Sequence, residues 1–168
     1  MKLWPGWLVV LAGACGGASA NSSTTTANRA TAANATVVRV IDGDTVDVTI
    51  GGRDEHVRLI GIDTPETKKP NTPIQCYGPE ASAFTEHLLP PGTAVRVERD
   101  VEARDDYGRL LGYVYLAEDG MFVNEALVVG GYARPLTIAP NTSYAARFIA
   151  DARTAEANDL GLWGQCTG

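Results

Sequence analysis

The sequence predicts an α+β fold that is mainly β, and three observations support this prediction. Five short segments rich in β-branched residues are separated by turns that contain glycine or proline. One helical pattern lies between the third and fourth segments, and two more follow the fifth. This order is typical of a five-stranded OB-type barrel with three helices.

The first three strands are predicted to form a meander over roughly residues 37–62. Residues 36–50 carry β-branched side chains on both sides of an Asp-Gly turn, and a Gly-Gly pair then leads into the third strand. In such a meander Asp44, just past the first turn, can lie beside Asp63 at the end of the third strand. Two neighbouring carboxylates repel each other unless a cation lies between them.

The remaining elements have start and stop signals. A helix begins near Pro79 and Glu80, because proline suits the first helical turn and a carboxylate stabilises the positive end of the helix dipole. A Pro-Pro pair that starts at Pro90 ends this helix. The later elements are two strands and two helices, at residues 93–99, 109–116, 124–129 and 144–158.

The N-terminus has the composition of an export signal. Residues 1–20 combine a lysine, a short apolar run and small residues, and the run is too short to span a bilayer. Cleavage after Ala20 and lipidation of Cys15 are both open, so we expect a protein that is secreted or tethered to the cell membrane as a lipoprotein. Residues 21–35 are small and polar and are predicted to be a disordered linker, followed by one folded domain at residues 36–168.

The cysteines agree with export to an oxidising compartment. Once the leader cysteine is removed or lipidated, Cys76 and Cys166 remain as an even pair. A disulfide between them would close a loop of about 90 residues and stabilise the fold by roughly 4 to 5 kcal/mol, whereas two free thiols are the alternative. The two histidines, His56 and His87, are isolated and no Cys-x-x-Cys occurs, so a zinc site is not expected.

The charge balance argues against broad, nonspecific coating of nucleic acid. The full chain carries a net charge of −6, and the residues beyond 35 include 12 basic and 20 acidic side chains. Nonspecific nucleic-acid binding needs a basic face. A polyanionic substrate would therefore have to be held locally, by a metal ion and a few arginines.

Residues 57–66, VRLIGIDTPE, place three charged side chains along and just past an apolar strand. These are Arg58, Asp63 and Glu66, and buried charges are costly unless each has a partner or a function. Asp44 and Asp63 offer hard oxygen ligands of the kind that Ca²⁺ or Mg²⁺ accepts.

Phosphodiester hydrolysis requires such a set of side chains. Attack on phosphorus builds negative charge on the equatorial oxygens, which a hard cation and bidentate donors stabilise. Arg58 and Arg109 can supply these donors, and Glu66 can orient or deprotonate the attacking water. Each residue alone would more simply be a surface salt bridge, but the combination favours hydrolysis.

At these residues the sequence resembles the thermonuclease, or staphylococcal nuclease-like, family. Five segments match in family order within about residues 36–163, and five matches in order are highly specific even though each alone would be weak. The segments are residues 41–46, 58–68, 77–85, 106–109 and 123–127.

The resemblance implies a five-stranded OB barrel and a Ca²⁺-dependent endonuclease, with Mg²⁺ less favoured, that acts on DNA and RNA and leaves 3′-phosphate ends. We expect it to act as a monomer. The resemblance also implies a role for each matching position: metal ligands at Asp44, Asp63 and the Thr64 carbonyl, phosphate and transition-state contacts from Arg58 and Arg109, a general base or water-positioning group at Glu66, and a terminal-phosphate contact from Tyr107. Lys68 and Lys69 lie in an exposed loop from which they can touch substrate, although solvated lysines are the simpler reading.

Two positions depart from the family pattern. Asp106 stands where well-known members have a lysine that contacts a terminal phosphate, and Leu136 stands where they have a tyrosine that packs against substrate. Both lie at the binding end of the site, so catalysis is expected to survive while end recognition, base preference and affinity change.

Two alternatives come from other functional classes. One is a noncatalytic OB module that binds nucleic acid or a protein partner, and the acidic balance is its main support. The other is a structural domain stabilised by calcium. Chelator-sensitive digestion of a plasmid would distinguish the nuclease from both.

Overall fold

The computed structural model describes residues 32–68 and 73–166. The strands, in chain order, are β1 (Ala35–Asp42), β2 (Thr45–Ile50), β3 (Arg53–Leu59), β4 (Gly61–Asp63), β5 (Ala94–Glu98), β6 (Leu110–Leu116) and β7 (Arg134–Leu136). The helices are α1 (Gly78–Leu88), α2 (Val123–Val129), α3 (Ala145–Ala157) and α4 (Leu162–Gln165).

Five of the strands close into a barrel in the order β1-β2-β3-β6-β5. The β1–β2, β2–β3, β5–β6 and β1–β5 pairs are antiparallel, and a parallel pair between β3 and β6 completes the circuit. Helix α1 connects the meander to β5. The predicted mainly β, five-stranded OB-type barrel is therefore confirmed.

The barrel is filled by side chains that alternate along its strands. Val46 and Val48 of β2 and Val57 and Leu59 of β3 are all fully buried. This period of two is what a strand needs when one face packs on a core. The polar residues between them are consequently directed to the other face, where Asp47 pairs with Arg39 and Arg58 lines a charged cavity.

The third predicted strand is interrupted at Ile60, and its last residues join a different sheet. Gly61 has a φ of +80°, and a Cβ at this position would lie 2.6 Å from the ring of Phe148, so glycine is required by both backbone and packing. Strand β4 then pairs with β7, with Asp63 opposite Arg134. The β4–β7 ribbon and the four-residue helix α4 are not evident in the sequence pattern.

A buried asparagine fixes this interruption to the barrel. Asn124, on α2, has no exposed surface. Its side-chain oxygen accepts a hydrogen bond from the backbone N–H of Val114 at 2.9 Å, and its Nδ2 donates to the carbonyl of Ile60 at 2.9 Å. The strand break thus has its backbone groups paired, as buried peptide groups require.

The barrel begins at the end of the predicted linker. Asn34 donates to the carbonyl of Val97 at 2.9 Å and accepts from the N–H of Val97 at 2.8 Å, just before β1 starts. The proposed export signal, most of the linker and Cys15 lie outside the described residues. Among the helices of residues 32–68 and 73–166, none has the length and apolarity needed to cross a membrane.

A disulfide joins Cys76 to Cys166, as the cysteine count predicted, with their Cα atoms 5.8 Å apart. It connects Cys76, two residues before α1, to Cys166, the residue just after α4. The bridge therefore ties the C-terminal end of the described chain to the loop that follows β4.

Candidate active site

One polar cavity of about 350 Å³ collects side chains from separate parts of the chain. It is formed by the β1–β2 turn, β3, the loop after β4 and the residue before β6. All five charged residues singled out in the sequence line it: Asp44, Arg58, Asp63, Glu66 and Arg109. The side chains thus converge on one place, while their individual roles stay predictions.

Arg58 is the most enclosed cation of this cavity. Its Nη2 lies 3.0 Å from Asp44 Oδ2 and 3.2 Å from Asp63 Oδ1, and its side chain is 14% exposed. Its Nη1 donates to the carbonyls of Leu59 and Ile62, the latter at 3.0 Å. The guanidinium is therefore held in one orientation by four oxygens, because its donors are fixed in a planar fork.

Asp44 is buried and reaches the cavity because a glycine precedes it. Its Oδ2 accepts a hydrogen bond from the backbone N–H of Thr64 at 3.0 Å, and its Oδ1 accepts one from the hydroxyl of Thr45 at 3.1 Å. A Cβ on Gly43 would lie 2.7 Å from the hydroxyl oxygen of Thr64. The lack of a side chain at Gly43 therefore permits the close contact between Asp44 and the Thr64 segment.

Asp63 lies on the solvent side of the cavity, with its side chain 58% exposed. Partial burial raises the pKa of its carboxyl group, and the negative charges of Asp44 and Glu66 raise it further, against the opposing effect of Arg58. The positive charge of Arg58 therefore does not compensate for burial and for the negative charges around Asp63. A further cation beside Asp63 would be electrostatically favoured.

The donor set fits a hard divalent cation. Asp44 and Asp63 line the cavity with carboxylate groups, and Thr64, which also lines it, has a backbone carbonyl of the neutral kind that calcium sites use. Within residues 32–68 and 73–166, no three His, Cys, Asp or Glu side chains are grouped so that they could hold a metal ion by themselves. A cation here would consequently complete its coordination with water or with oxygens of a bound substrate.

Arg109 enters the cavity from the turn before β6. Its Nε donates to Asp105 Oδ2 at 2.7 Å, and its backbone N–H donates to Asp105 Oδ1 at 2.9 Å. Burial raises the pKa of the Asp105 carboxyl group, but the hydrogen bonds and positive charge of Arg109, with a hydrogen bond from the Tyr107 N–H, outweigh burial and lower this pKa, so the carboxylate stays ionised. Among the described residues, no hydrogen bond partner is found for Nη1 and Nη2 of Arg109, which leaves these donors for an anion.

Glu66 occupies the loop after β4. Its Oε1 accepts a hydrogen bond from the backbone N–H of Lys68 at 2.8 Å, and its own N–H donates to Gln75 Oε1 at 2.9 Å. Both partners belong to the same loop. The Glu66 carboxylate is thus held by a neighbouring loop residue, and it also hydrogen-bonds with Asp42 at the end of β1.

The sequence analysis missed Asp42, which lines the same cavity. Its Oδ1 accepts hydrogen bonds from the hydroxyls of Thr67 at 2.7 Å and Ser82 at 2.8 Å, and from the N–H of Gly43 at 2.9 Å. Burial raises the pKa of Asp42, but these hydrogen bonds outweigh that effect and lower it. Asp42, at the end of β1, thereby joins the loop next to Glu66 to helix α1, and the sequence pattern around Asp42 does not indicate these contacts.

The residues expected to touch substrate lie farther out. Tyr107 is 87% exposed, with the guanidinium of Arg109 5.6 Å from its ring centre. Both residues also line a second cavity of about 390 Å³, whose wall includes Leu136, and Arg58 and Arg109 are shared with the first cavity. Lys68 is exposed, and Lys69 lies outside the described residues.

Comparison with known proteins gives a consistent result. Residues 56–165 match the family model described as staphylococcal nuclease homologue. The thermonuclease of Staphylococcus intermedius is 47% identical over 127 residues, which is 76% of this chain and 74% of that protein.

Two further relatives extend the comparison. The thermonuclease of Staphylococcus hyicus is 46% identical over 76% of this chain and 73% of its own length. The endonuclease YncB of Bacillus subtilis (strain 168) is 42% identical over 79% of this chain and 62% of its own length. The similarity to these relatives extends over about three quarters of the chain.

Proposed function

The chain belongs to the staphylococcal nuclease homologue family, and we propose that it is a metal-dependent nuclease that hydrolyses phosphodiester bonds of DNA and RNA. One observation carries the proposal: Arg58 lies between two aspartates in a cavity that also holds Glu66 and Arg109. The two arginines can stabilise the negative charge that develops on the phosphate oxygens during hydrolysis, and the carboxylates can bind a metal ion and the attacking water.

The two arginines meet different needs of the reaction. Because its Nε is already held by Asp105, Arg109 can donate from its two terminal nitrogens to two oxygens of a phosphate in a bidentate manner. Arg58, fixed between Asp44 and Asp63, supplies positive charge at a defined point. Negative charge that builds on the equatorial phosphate oxygens would be stabilised by both guanidinium groups.

Glu66 is proposed to act on the attacking water. The carboxylate accepts a proton from the water, or orients it, as the new bond between oxygen and phosphorus forms. The bond from phosphorus to the 5′ oxygen then breaks, and that oxygen takes up a proton. The products carry a 3′-phosphate and a free 5′-hydroxyl, which together contain the atoms of the added water molecule.

Asp44, Asp63 and the carbonyl of Thr64 are proposed to hold Ca²⁺, in preference to Mg²⁺. The ion would supply Lewis-acid stabilisation of the phosphate oxygens. Asp44 and Asp63 lie within 3.0 and 3.2 Å of the same guanidinium nitrogen, and two negative charges this close together support a cation at this place. A partly exposed ligand also leaves room for water and substrate oxygens, which calcium accepts more readily than magnesium does.

The second cavity is the proposed place for the nucleoside next to the scissile phosphate. It adjoins the charged cavity through Arg58 and Arg109, and its wall includes Ile60 and Leu136. Apolar walls suit a base that stacks without strict sequence readout. Tyr107, at the rim, is proposed to contact a terminal phosphate.

Export from the cytoplasm is part of the proposal. The Cys76–Cys166 disulfide supports it, because disulfides persist in oxidising compartments. The leader would be removed after Ala20 or lipidated at Cys15, which mass measurement of the mature protein can distinguish.

Digestion of supercoiled plasmid with Ca²⁺, with Mg²⁺ and with chelator tests the proposal. We expect cleavage with Ca²⁺, weaker cleavage with Mg²⁺ and none with chelator, and we expect the new ends to carry 3′-phosphate. An intact plasmid that nevertheless shifts in a gel would indicate a noncatalytic binding module. Metal-dependent melting without cleavage or binding would indicate a structural calcium site.

A further inference from the structure

Gln75 holds the peptide group on each side of Glu66. Its Oε1 accepts a hydrogen bond from the Glu66 N–H at 2.9 Å, and its own N–H donates to the Glu66 carbonyl at 3.0 Å. Gln75 also lines the charged cavity. The two hydrogen bonds close the loop back onto Glu66, so the backbone from which this carboxylate projects is fixed by Gln75.

The disulfide secures the same loop from the next residue. Cys76 follows Gln75 directly and is bonded to Cys166 at the end of α4. Helix α4 is firmly seated, because Leu162 is buried and its N–H donates to the carbonyl of Gly131 at 2.8 Å. The bridge thus connects Gln75 to a packed part of the fold.

Helix α1 has an anchor that does not depend on the disulfide. The ring of Tyr77 stacks on that of Tyr132 with centres 5.5 Å apart, and Tyr132 stacks on Phe84 of α1 at 4.1 Å. Loss of the bridge would therefore remove the covalent link beside Gln75 and leave this residue to its hydrogen bonds with Glu66 and with the Gly78 N–H, while the helix and the barrel stay in place.

We infer that Gln75 is a positioning residue for Glu66 and that the Cys76–Cys166 disulfide secures it, so that reduction of the bridge slows catalysis by a chain that remains folded. The inference deepens the proposed function and rests on it. In the reduction, a dithiol gives two electrons and two protons to the sulfur–sulfur bond, two cysteine thiols form, and the dithiol closes to its own disulfide. Cys76 is exposed, so the reductant can reach the bridge.

The first test asks whether catalysis needs the hydrogen bond from the Glu66 N–H to Gln75 Oε1 or only a side chain of this size at position 75. Gln75→Met keeps the length of the side chain but removes the acceptor, and it is expected to lower kcat roughly 10- to 100-fold with KM unchanged. Gln75→Glu keeps an acceptor oxygen and should restore most of the rate. Ile74→Ala, in the same loop with a side chain 66% exposed, is the matched control and should cleave like the wild type.

The second test is a double-mutant cycle with the Cys76→Ser and Cys166→Ser pair, measured well below the melting temperature of every variant. The serine pair should lower kcat, and Gln75→Met should cost much less in that background, because both changes release the same loop. Treatment of the wild type with dithiothreitol should reproduce the serine pair, with an unchanged far-UV circular dichroism spectrum.

Hydrogen exchange at the Glu66 amide tests the contact without any cleavage assay. Gln75→Met and reduction of the disulfide should both speed this exchange, while amides of β2 and β3 keep their protection. Wild-type kcat in Gln75→Met, or losses in the double-mutant cycle that simply multiply, would overturn the inference while leaving the nuclease proposal intact. An inactive wild type with a protected Glu66 amide would instead overturn the proposed function, and with it the catalytic role of Gln75, while leaving the structural contact between Gln75 and Glu66 in place.

Discussion

The Nη2 atom of Arg58 lies 3.0 Å from Oδ2 of Asp44, and the two side chains are only 14% and 12% exposed. An ion pair this enclosed is poorly solvated, so removal of one partner leaves the other charge uncompensated. The same nitrogen also reaches Asp63 at 3.2 Å. One guanidinium therefore forms ion pairs with both carboxylates that are proposed to bind the metal.

Arg58→Ala is expected to lower kcat/KM by about 10² to 10³, equivalent to about 3 to 4 kcal/mol of transition-state stabilisation. The physical reason is the loss of a preorganised positive charge next to the reacting phosphate. Initial rates on a fluorescent oligonucleotide provide the measurement. Arg104→Ala is the matched control, because Arg104 pairs with Glu55 outside the cavity and is 47% exposed. Equal rates for the two alanine variants would refute the role of Arg58.

Arg109→Lys is expected to be nearly as inactive as Arg109→Ala. Arginine binds Asp105 through Nε and still offers two terminal nitrogens, whereas a lysine ammonium cannot do both in a planar arrangement. Asp105→Ala should also lower kcat, since it frees the guanidinium from its only described carboxylate partner. The comparison of the three variants in one steady-state assay is decisive. Substantial rescue by lysine would show that charge alone suffices.

Asn124→Ala is expected to destabilise the barrel, because it leaves the buried N–H of Val114 and the carbonyl of Ile60 without this partner. Each buried group left unpaired costs about 1 to 3 kcal/mol. Urea unfolding followed by fluorescence measures the change in the free energy of unfolding. Asn158→Ala removes only an exposed hydrogen bond to Thr154 and should shift the midpoint little. A similar small shift for both variants would contradict the structural role of Asn124.

Asp100 is expected to contribute stability that disappears in acid. Burial raises the pKa of its carboxyl group, but hydrogen bonds from Ser143 and from the Tyr113 hydroxyl outweigh burial and lower it below the ordinary value of 3.8. The folded chain therefore binds this proton more weakly than the unfolded chain does. The contribution is complete above the ordinary pKa and is lost as the pH falls through the lower folded value.

Asp100→Asn should consequently cost more stability at pH 7 than at acidic pH, where the wild-type carboxylate has become protonated. Urea midpoints of the wild type and the variant across this pH range provide the comparison. Glu118→Gln, at an exposed position, corrects for the loss of a negative charge. A difference in stability that is independent of pH would show that the carboxylate is not stabilised in the folded chain.

The fold could be predicted from the sequence where an element is determined by its own residue alternation and by the turn or helix-start residues next to it. The alternation along β2, the Asp-Gly turn and the proline at the start of α1 each fix an element by short-range physics, and these elements are present. The pairing of β4 with β7 could not be read in the same way. Three-residue strands carry no periodicity, and Gly61 marks the break through a positive φ and a contact with the distant Phe148, neither of which the residue spacing shows.

Part of the candidate site could also be predicted from the sequence, and part of it could not. The convergence of Asp44, Arg58 and Asp63 was predictable because strand order brings the β1–β2 turn to the end of β3. The contacts of Asp42 and Gln75 were not, because both depend on the path of a loop that has no regular pattern. Side-chain contacts between residues far apart in the chain cannot be predicted from the spacing of residues in the sequence.

Cleavage by Glu66→Gln under saturating Ca²⁺ tests the central claim most directly. The variant keeps the size of the side chain but cannot accept the proton of the attacking water, so kcat should fall by roughly 10² to 10⁴ while Ca²⁺ affinity and circular dichroism stay as in the wild type. Wild-type cleavage by Glu66→Gln, or equal cleavage by the wild type with Ca²⁺ and with chelator, would contradict a metal-assisted hydrolysis at this cavity.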